Sequence, residues 1–187
     1  MKDKIIEKSI ELFEKKGFSS TSIQDIVDEL GVTKGSFYYY FSSKEQLLMD
    51  IHDEYINNLL ERQRIILEDQ TLTSKEQLIG MIEVSIDDII ENGPRARVYF
   101  RELRHLTGEN LTKIKEKRKQ FRINVETVVK RGMDEGIFKN EIPSDITALG
   151  IIGLANWSYN WYKPEGEISP KQLVNIYAQI ILEGLLN

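Results

Sequence analysis

The chain contains no cysteine, which excludes a disulfide framework and any thiolate metal site. Histidine is nearly as scarce. His52 and His105 are the only two, and they stand too far apart for a recognisable ligand spacing, so no metal centre is expected. No stretch reaches the roughly 18–20 uninterrupted apolar residues of a membrane span, because Asp, Asn or Glu interrupts the most apolar ones. The opening MKDKIIEKSIELFEKKG is charged and periodic and lacks the apolar centre of a signal peptide. These absences point to a cytoplasmic protein with no membrane partner. There is no glycine-rich phosphate loop and no nucleophile motif, so neither enzymatic activity nor a cofactor is expected. Positive charge is also not in excess. The net charge is −5, whereas a nucleic-acid binder is usually basic. That balance does not exclude DNA, because the local field at the contacting surface decides.

What is present is helical periodicity. With 187 residues, 41% of them hydrophobic and 29% charged, the chain can bury a proper core. Ile5, Ile6, Ile10 and Phe13 repeat at helical spacing up to Gly17, a position suited to a left-handed cap. Ser22 with Asp25 opens a short second helix, IQDIVDEL, ended by Gly31. Thr33 caps a third, KGSFYYY, and Ser43 a fourth that runs to about Asp69. Ser74 with Gln77 predicts a fifth helix ending near Asn92, and Pro94 opens a sixth. A long charged helix from about Glu109 to Asp134 follows. Ser144 then opens an eighth, apolar around most of its circumference and so expected to be buried, and Ser169-Pro170 starts a last one. The expectation is an all-α protein of about nine helices, without repeats or flexible linkers.

The second and third helices are short, and the turn Gly31-Val32-Thr33 between them is tight. That is the sequence form of a helix-turn-helix, whose second helix enters the DNA major groove. It is also the form of an ordinary helical hairpin. The run FYYYF, Phe37 to Phe41, sharpens the reading. Phe37 and Phe41 stand four apart and can pack on Ile26 and Val27, which leaves Lys34, Gly35, Ser36, Tyr38 and Tyr39 outward. That face is small at its start, cationic, hydroxylated and aromatic, and it has no carboxylate. Lys34 and Ser36 can reach base edges, and the tyrosine hydroxyls can reach phosphates.

The segment TSIQDIVDELGVTKGSFYYYFSSKEQLL, Thr21 to Leu48, resembles the DNA-binding signature of the TetR family of bacterial transcriptional regulators. The resemblance implies a two-domain, all-helical homodimer. Its first three helices would bind a palindromic operator as double-stranded DNA, and its C-terminal domain would bind a small molecule that releases the DNA. The domains would be residues 1–47 and 48–187. By position, Gln24 would reach a base or phosphate, and Thr33 would contact phosphate while capping the reading helix. Lys34 and Ser36 would be the main base readers, with Gly35 between them. Tyr38 would contact phosphate, Tyr39 phosphate or a thymine methyl, and Lys44 a phosphate from the far side. Many relatives carry Arg in place of Gln24 and His in place of Tyr39 or Tyr40, so the operator sequence does not follow. Residues 1–47 hold seven lysines and eight carboxylates, so binding would rest on a few placed contacts and be strongly salt-sensitive.

For an effector site, the apolar candidates are Met81, Ile86, Tyr99, Phe100, Leu103, Phe121 and Val125, each of which could equally be plain core. Asn156, Trp157, Asn160 and Trp161 put amides and large rings on one side of the eighth helix, where a ligand or a dimer partner would supply partners for the amides. LANWSYNWYKPEG and the following ISPKQLVNIYAQIILEGL resemble a TetR subgroup that includes fatty-acid and steroid degradation repressors. That resemblance implies an acyl-CoA effector. Arg95, Arg97, Arg101 and Arg104 could hold its phosphates, or form a solvated face paired with Glu102 and Asp87 or Asp88. His105 could touch the pocket. The basic run KIKEKRKQFR reads as a solvated helix face, or as an aid in steering towards DNA. Leu173, Ile176, Tyr177, Ile180, Ile181 and Leu185 form a wide apolar stripe that predicts the homodimer interface. The alternative is a helical lipid or acyl-CoA carrier with no DNA role, which would have no use for Lys34, Tyr38 or Lys44.

Overall fold

Capping residues set most of the helix boundaries in a computed structural model that describes residues 1–186. Helix α1 (Lys2–Lys16) ends at Gly17, whose φ of 81° favours glycine, although its ψ of 157° is not the left-handed helical value expected from the sequence. In α2 (Ile23–Leu30) the Ser22 hydroxyl accepts from the Asp25 N–H, and the Asp25 carboxylate accepts from the Ser22 N–H at 2.7 Å. Gly31 closes α2 in the left-handed conformation, at φ 65° and ψ 33°. Thr33 caps α3 (Lys34–Tyr38), and the Ser43 hydroxyl caps the start of α4 (Lys44–Glu68).

The fifth boundary differs by one residue from expectation. Thr73, with Glu76, caps α5 (Ser74–Glu91), while the Ser74 hydroxyl is turned to the Glu135 carboxylate at 2.6 Å. Helix α6 (Gly93–Arg101) is followed by a 3-10 turn (Leu103–His105), α7 (Gly108–Asp134), α8 (Ser144–Trp161) and α9 (Pro170–Leu185). The nine α-helices found among the described residues make an all-α fold. The only strand-like pairing there is an isolated bridge between Phe138 and Leu186.

The chain divides into two compact units. The first comprises Met1–Ile56 and Gly93–Lys115, and the second comprises Asn57–Asn92 and the chain from Glu116 onward. Packing therefore groups α6 and the turn after it with the first three helices, whereas the expected boundary after residue 47 follows the motif. In the first unit α1 buries Ile5, Ile6, Ile10 and Phe13, α2 buries Ile26 and Val27, and α4 buries Leu47, Leu48 and Ile51. The ion pairs of Arg95 with Glu7 (2.5 Å) and Glu54 (2.9 Å), and of Arg97 with Glu14 (2.5 Å), link α6 to α1 and α4.

In the second unit α5, α7, α8 and α9 share one apolar cluster that includes Leu78, Met81, Ile86, Val125, Val129, Ile151 and Leu182. Phe138 lies so close over Gly132 that a methyl group there would stand 2.3 Å from its ring. Helix α8 is not buried all round, as its composition suggested. It turns Ala148, Ile151, Ala155 and Ser158 inward, and it exposes Ile146, Leu149, Trp157 and Trp161. One apolar side serves this chain's own core, and the other is left outward.

Candidate nucleic-acid interface

Helix α3 is anchored from beneath. Phe37 and Phe41 are fully buried, with ring centroids 5.6 Å apart, and Val32 N–H donates to the Val27 carbonyl at 2.9 Å to close the turn against α2. The buried phenylalanines roll the other residues of the run outward. Tyr38 is 54% exposed and Tyr39 80%, and Tyr40, edge-on to Tyr39 at 4.8 Å, is exposed as well. Thr33, Lys34 and Gly35 are exposed and Ser36 is half-buried. Thr33 Oγ1 accepts from the Ser36 N–H at 3.4 Å and lies 3.3 Å from its hydroxyl. The outward face of α3 thus collects the predicted cation, hydroxyls and phenols, and Tyr40 extends it by one residue.

Gly35 is informative for what does not constrain it. Its φ is not in the left-handed region, and a methyl group built on it would meet only Thr33 Oγ1 at 3.5 Å, an ordinary contact. The fold would accept alanine there, and alanine is the better helix former. A glycine at this exposed position fits a requirement from outside the chain.

The other predicted contacts are placed differently. Gln24 is exposed, but its side-chain amide donates to Asp28 Oδ1 at 2.6 Å, so in this state it is tied to its own helix. Asp25 is held below the usual carboxylate range, chiefly by the Ser22 hydroxyl, and stays an anionic cap. Lys44 is more internal than expected. Its ammonium donates to the carbonyls of Phe18 (2.7 Å) and Thr21 (2.5 Å) and lies 4.2 Å from the centre of the Phe18 ring. Partial burial lowers its pKa, with Asp25 opposing the shift. Two of its three donors thus close the loop between α1 and α2, and at most one remains for a phosphate. Sequence reasoning missed Phe18 and His105 in this arrangement. The imidazole stacks on Phe18 at 5.1 Å, and no spacing in the sequence announces that contact.

The effector candidates are divided between the two units. Met81, Ile86 and Val125 belong to the apolar cluster of the second unit, and Phe121 is buried there as well. Tyr99 belongs to the first unit, stacked on Tyr55 at 4.4 Å and close to His52, with Phe100 edge-on beside it. Leu103 and Arg104 lie in the 3-10 turn of that unit. On α8, Asn156 is half-buried, while Asn160, Trp157 and Trp161 are exposed, so the buried side expected for these four is an outward one. Of the arginines, Arg95 and Arg97 are paired with Glu7, Glu54 and Glu14, not with the near-sequence acids Glu102, Asp87 and Asp88. Arg104 Nε lies 3.3 Å from His105 Nε2.

Along the basic run of α7, Lys113, Lys115 and Lys119 are exposed, and Lys117 donates to Asn57 Oδ1. The predicted dimer stripe of α9 also divides. Leu173, Tyr177 and Leu185 face this chain's own core, where the Tyr177 hydroxyl lies 3.0 Å from that of Ser158, and Ile181 is half-buried beside them. Ile176 and Ile180 are exposed. Among the described residues no helix is long and apolar enough to cross a membrane.

Residues 5–51 match the family model described as bacterial regulatory proteins of the tetR family, and residues 71–185 match that of the tetracyclin repressor-like C-terminal domain. The HTH-type transcriptional repressor KstR2 of Mycobacterium tuberculosis is 28% identical over 182 residues, covering 97% of this chain and 90% of the relative. A solved structure of the ketosteroid transcriptional regulator KstR2 from that organism superposes with a TM-score of 0.91 at 27% identity, covering 100% of this chain and 95% of that one. The regulator PfmR of Thermus thermophilus gives a TM-score of 0.89 at 28% identity, with 98% and 99% of the two chains covered. AibR, solved with isovaleryl coenzyme A and operator DNA, gives 0.85 at 22% identity over 96% of each chain, a likeness of fold.

Proposed function

The chain belongs to the TetR family of bacterial regulatory proteins, and from that premise we propose how its parts divide the work. It is a ligand-responsive, DNA-binding transcriptional repressor, a regulator and not an enzyme. It acts in the cytoplasm as a dimer on a palindromic operator. Residues 1–47 are the reading head, and 48–187 bind the effector and dimerise. The observation that carries the proposal is the outward face of α3. Lys34 and Ser36 read base edges, Gly35 lets the backbone approach the groove, and Thr33, Tyr38 and Tyr39 position the head on phosphates. Gln24 turns from Asp28 to the DNA, and Lys44 holds the head in shape with one proton left for a phosphate.

The outward side of α8 with Ile176 and Ile180 of α9 is the dimer surface. Trp157 is 64% exposed and Ile180 55%, and Leu149 and Ile146 continue the stripe. So much apolar area on one side of two neighbouring helices marks a surface that another chain covers. A second copy packed about a two-fold axis sets the reading helices roughly 34–36 Å apart, one helical turn of DNA.

The effector is a small, largely apolar molecule, and an acyl-CoA thioester is the class we favour. The likeness to a ketosteroid regulator and the C-terminal motif around Trp157 support that reading. Arg95 and Arg97 are engaged with glutamates in this state. Arg104, exposed in the turn after α6, is the phosphate candidate we prefer among the four arginines. Selection from random-sequence duplexes followed by native mass spectrometry tests the assignment. A palindromic sequence bound by two copies, released by long-chain acyl-CoA and not by free CoA, is the expected result. Failure to enrich any duplex would leave the carrier reading standing, and enrichment with no response to acyl-CoA would overturn the effector class alone.

A further inference from the structure

The loop between α1 and α2 carries Phe18, which is gripped from three directions. Phe13 of α1 meets the ring edge-on at 5.2 Å, the Lys44 ammonium of α4 lies 4.2 Å from its centre, and the His105 imidazole stacks on it at 5.1 Å and 27°. Lys44 binds the Phe18 carbonyl as well, so ring and backbone are held together. His105 is the contribution of the turn that follows α6.

One atom of His105 faces two incompatible neighbours. Arg104 Nε, a donor, lies 3.3 Å from Nε2, and Glu102 Oε2, an acceptor, lies 3.2 Å from the same nitrogen. With a lone pair on Nε2 the ring suits Arg104. The Glu102 oxygen, in a residue only 6% exposed, then has no hydrogen-bond donor. A proton on Nε2 gives that buried carboxylate a charge-assisted partner and fixes the ring where it stacks. Charged groups around the turn include Lys44, on the same Phe18 ring, and Glu45, whose carboxylate accepts from the Thr107 N–H and hydroxyl at 2.9 and 3.0 Å.

We propose that His105 is a positioning residue for DNA binding, acting through Phe18 and Lys44 on the reading head. This inference rests on the DNA-binding function proposed above.

The test is fluorescence anisotropy of the full-length chain on the selected duplex, with the folding of every variant checked by thermal melting. His105→Ala is expected to bind about fivefold more weakly than wild type, the low end of a typical coupling between sites. His105→Phe keeps a ring on Phe18 and should recover most of that loss. His105→Ala indistinguishable from wild type, or His105→Phe no better than His105→Ala, would each overturn the inference. Wild type that binds no duplex would instead overturn the DNA-binding assignment.

Discussion

Replacing Gly35 with alanine separates what the fold needs from what DNA needs. Inside the chain the new methyl group meets only Thr33 Oγ1 at 3.5 Å, and the backbone φ is one that alanine adopts freely. Helix propensity and the lost freedom of the unfolded chain then favour the variant by up to ~1 kcal/mol. For a chain of this size that raises the melting temperature by about 2–4 °C. On DNA the same methyl group projects from the exposed side of α3, between Lys34 and Ser36, where the backbone must come close to the base edges. Losing one well-placed base contact costs ~1–3 kcal/mol, or about five- to 150-fold in affinity. The assay pairs thermal melting with anisotropy on the selected duplex. The variant should be at least as stable as wild type and bind at least about fivefold more weakly. Unchanged affinity, or weak binding accompanied by lost stability, would refute it.

Gly132→Ala should act oppositely, because its methyl group would stand 2.3 Å from the buried Phe138 ring. We expect a loss of ~1–3 kcal/mol, typical of overpacking, measured by urea unfolding. Trp157→Asp combined with Ile180→Asp should give a folded monomer by light scattering with an unchanged far-ultraviolet spectrum, since both side chains are exposed within one chain. Glu45 is held below the usual carboxylate range, first by the Thr107 N–H and then by its hydroxyl. Because the folded value is depressed, its contribution to stability is present above the unfolded value and is lost as pH falls through the folded one. Unfolding measured between about pH 7 and 3 should therefore show a shallower acid loss in Glu45→Gln than in wild type.

Local spacing made the reading head legible. Phe37 and Phe41 at i and i+4 fixed which side of α3 is buried, and Ser22 with Asp25 formed the capping box its order suggests. What the sequence hid was decided by distant partners. Thr73, not Ser74, caps α5, because the Ser74 hydroxyl is bound to Glu135, 61 residues away. Arg97 pairs with Glu14, 83 residues earlier, although nearer acids were available. Lys44 reaches back to two carbonyls that only the folded loop presents to it. Helix α8 shows a further limit. An apolar side chain facing the core and one facing outward for another copy look alike in the sequence, and Ala155 and Trp157 on the same helix are one of each. The effector candidates Met81, Ile86 and Val125 show the same limit, since hydrophobic residues in long helices mark core as readily as a pocket.

The central claim is that the outward face of α3 reads DNA. Its most direct test is a salt-dependent anisotropy titration of Lys34→Ala with Tyr38→Ala against wild type on the selected duplex. Both residues are exposed, so the fold should be unaffected. The account predicts affinity at least about a hundredfold weaker, with a shallower dependence on salt as phosphate and base contacts are lost. A double variant that binds the duplex as tightly as wild type, with the same salt dependence, would contradict it.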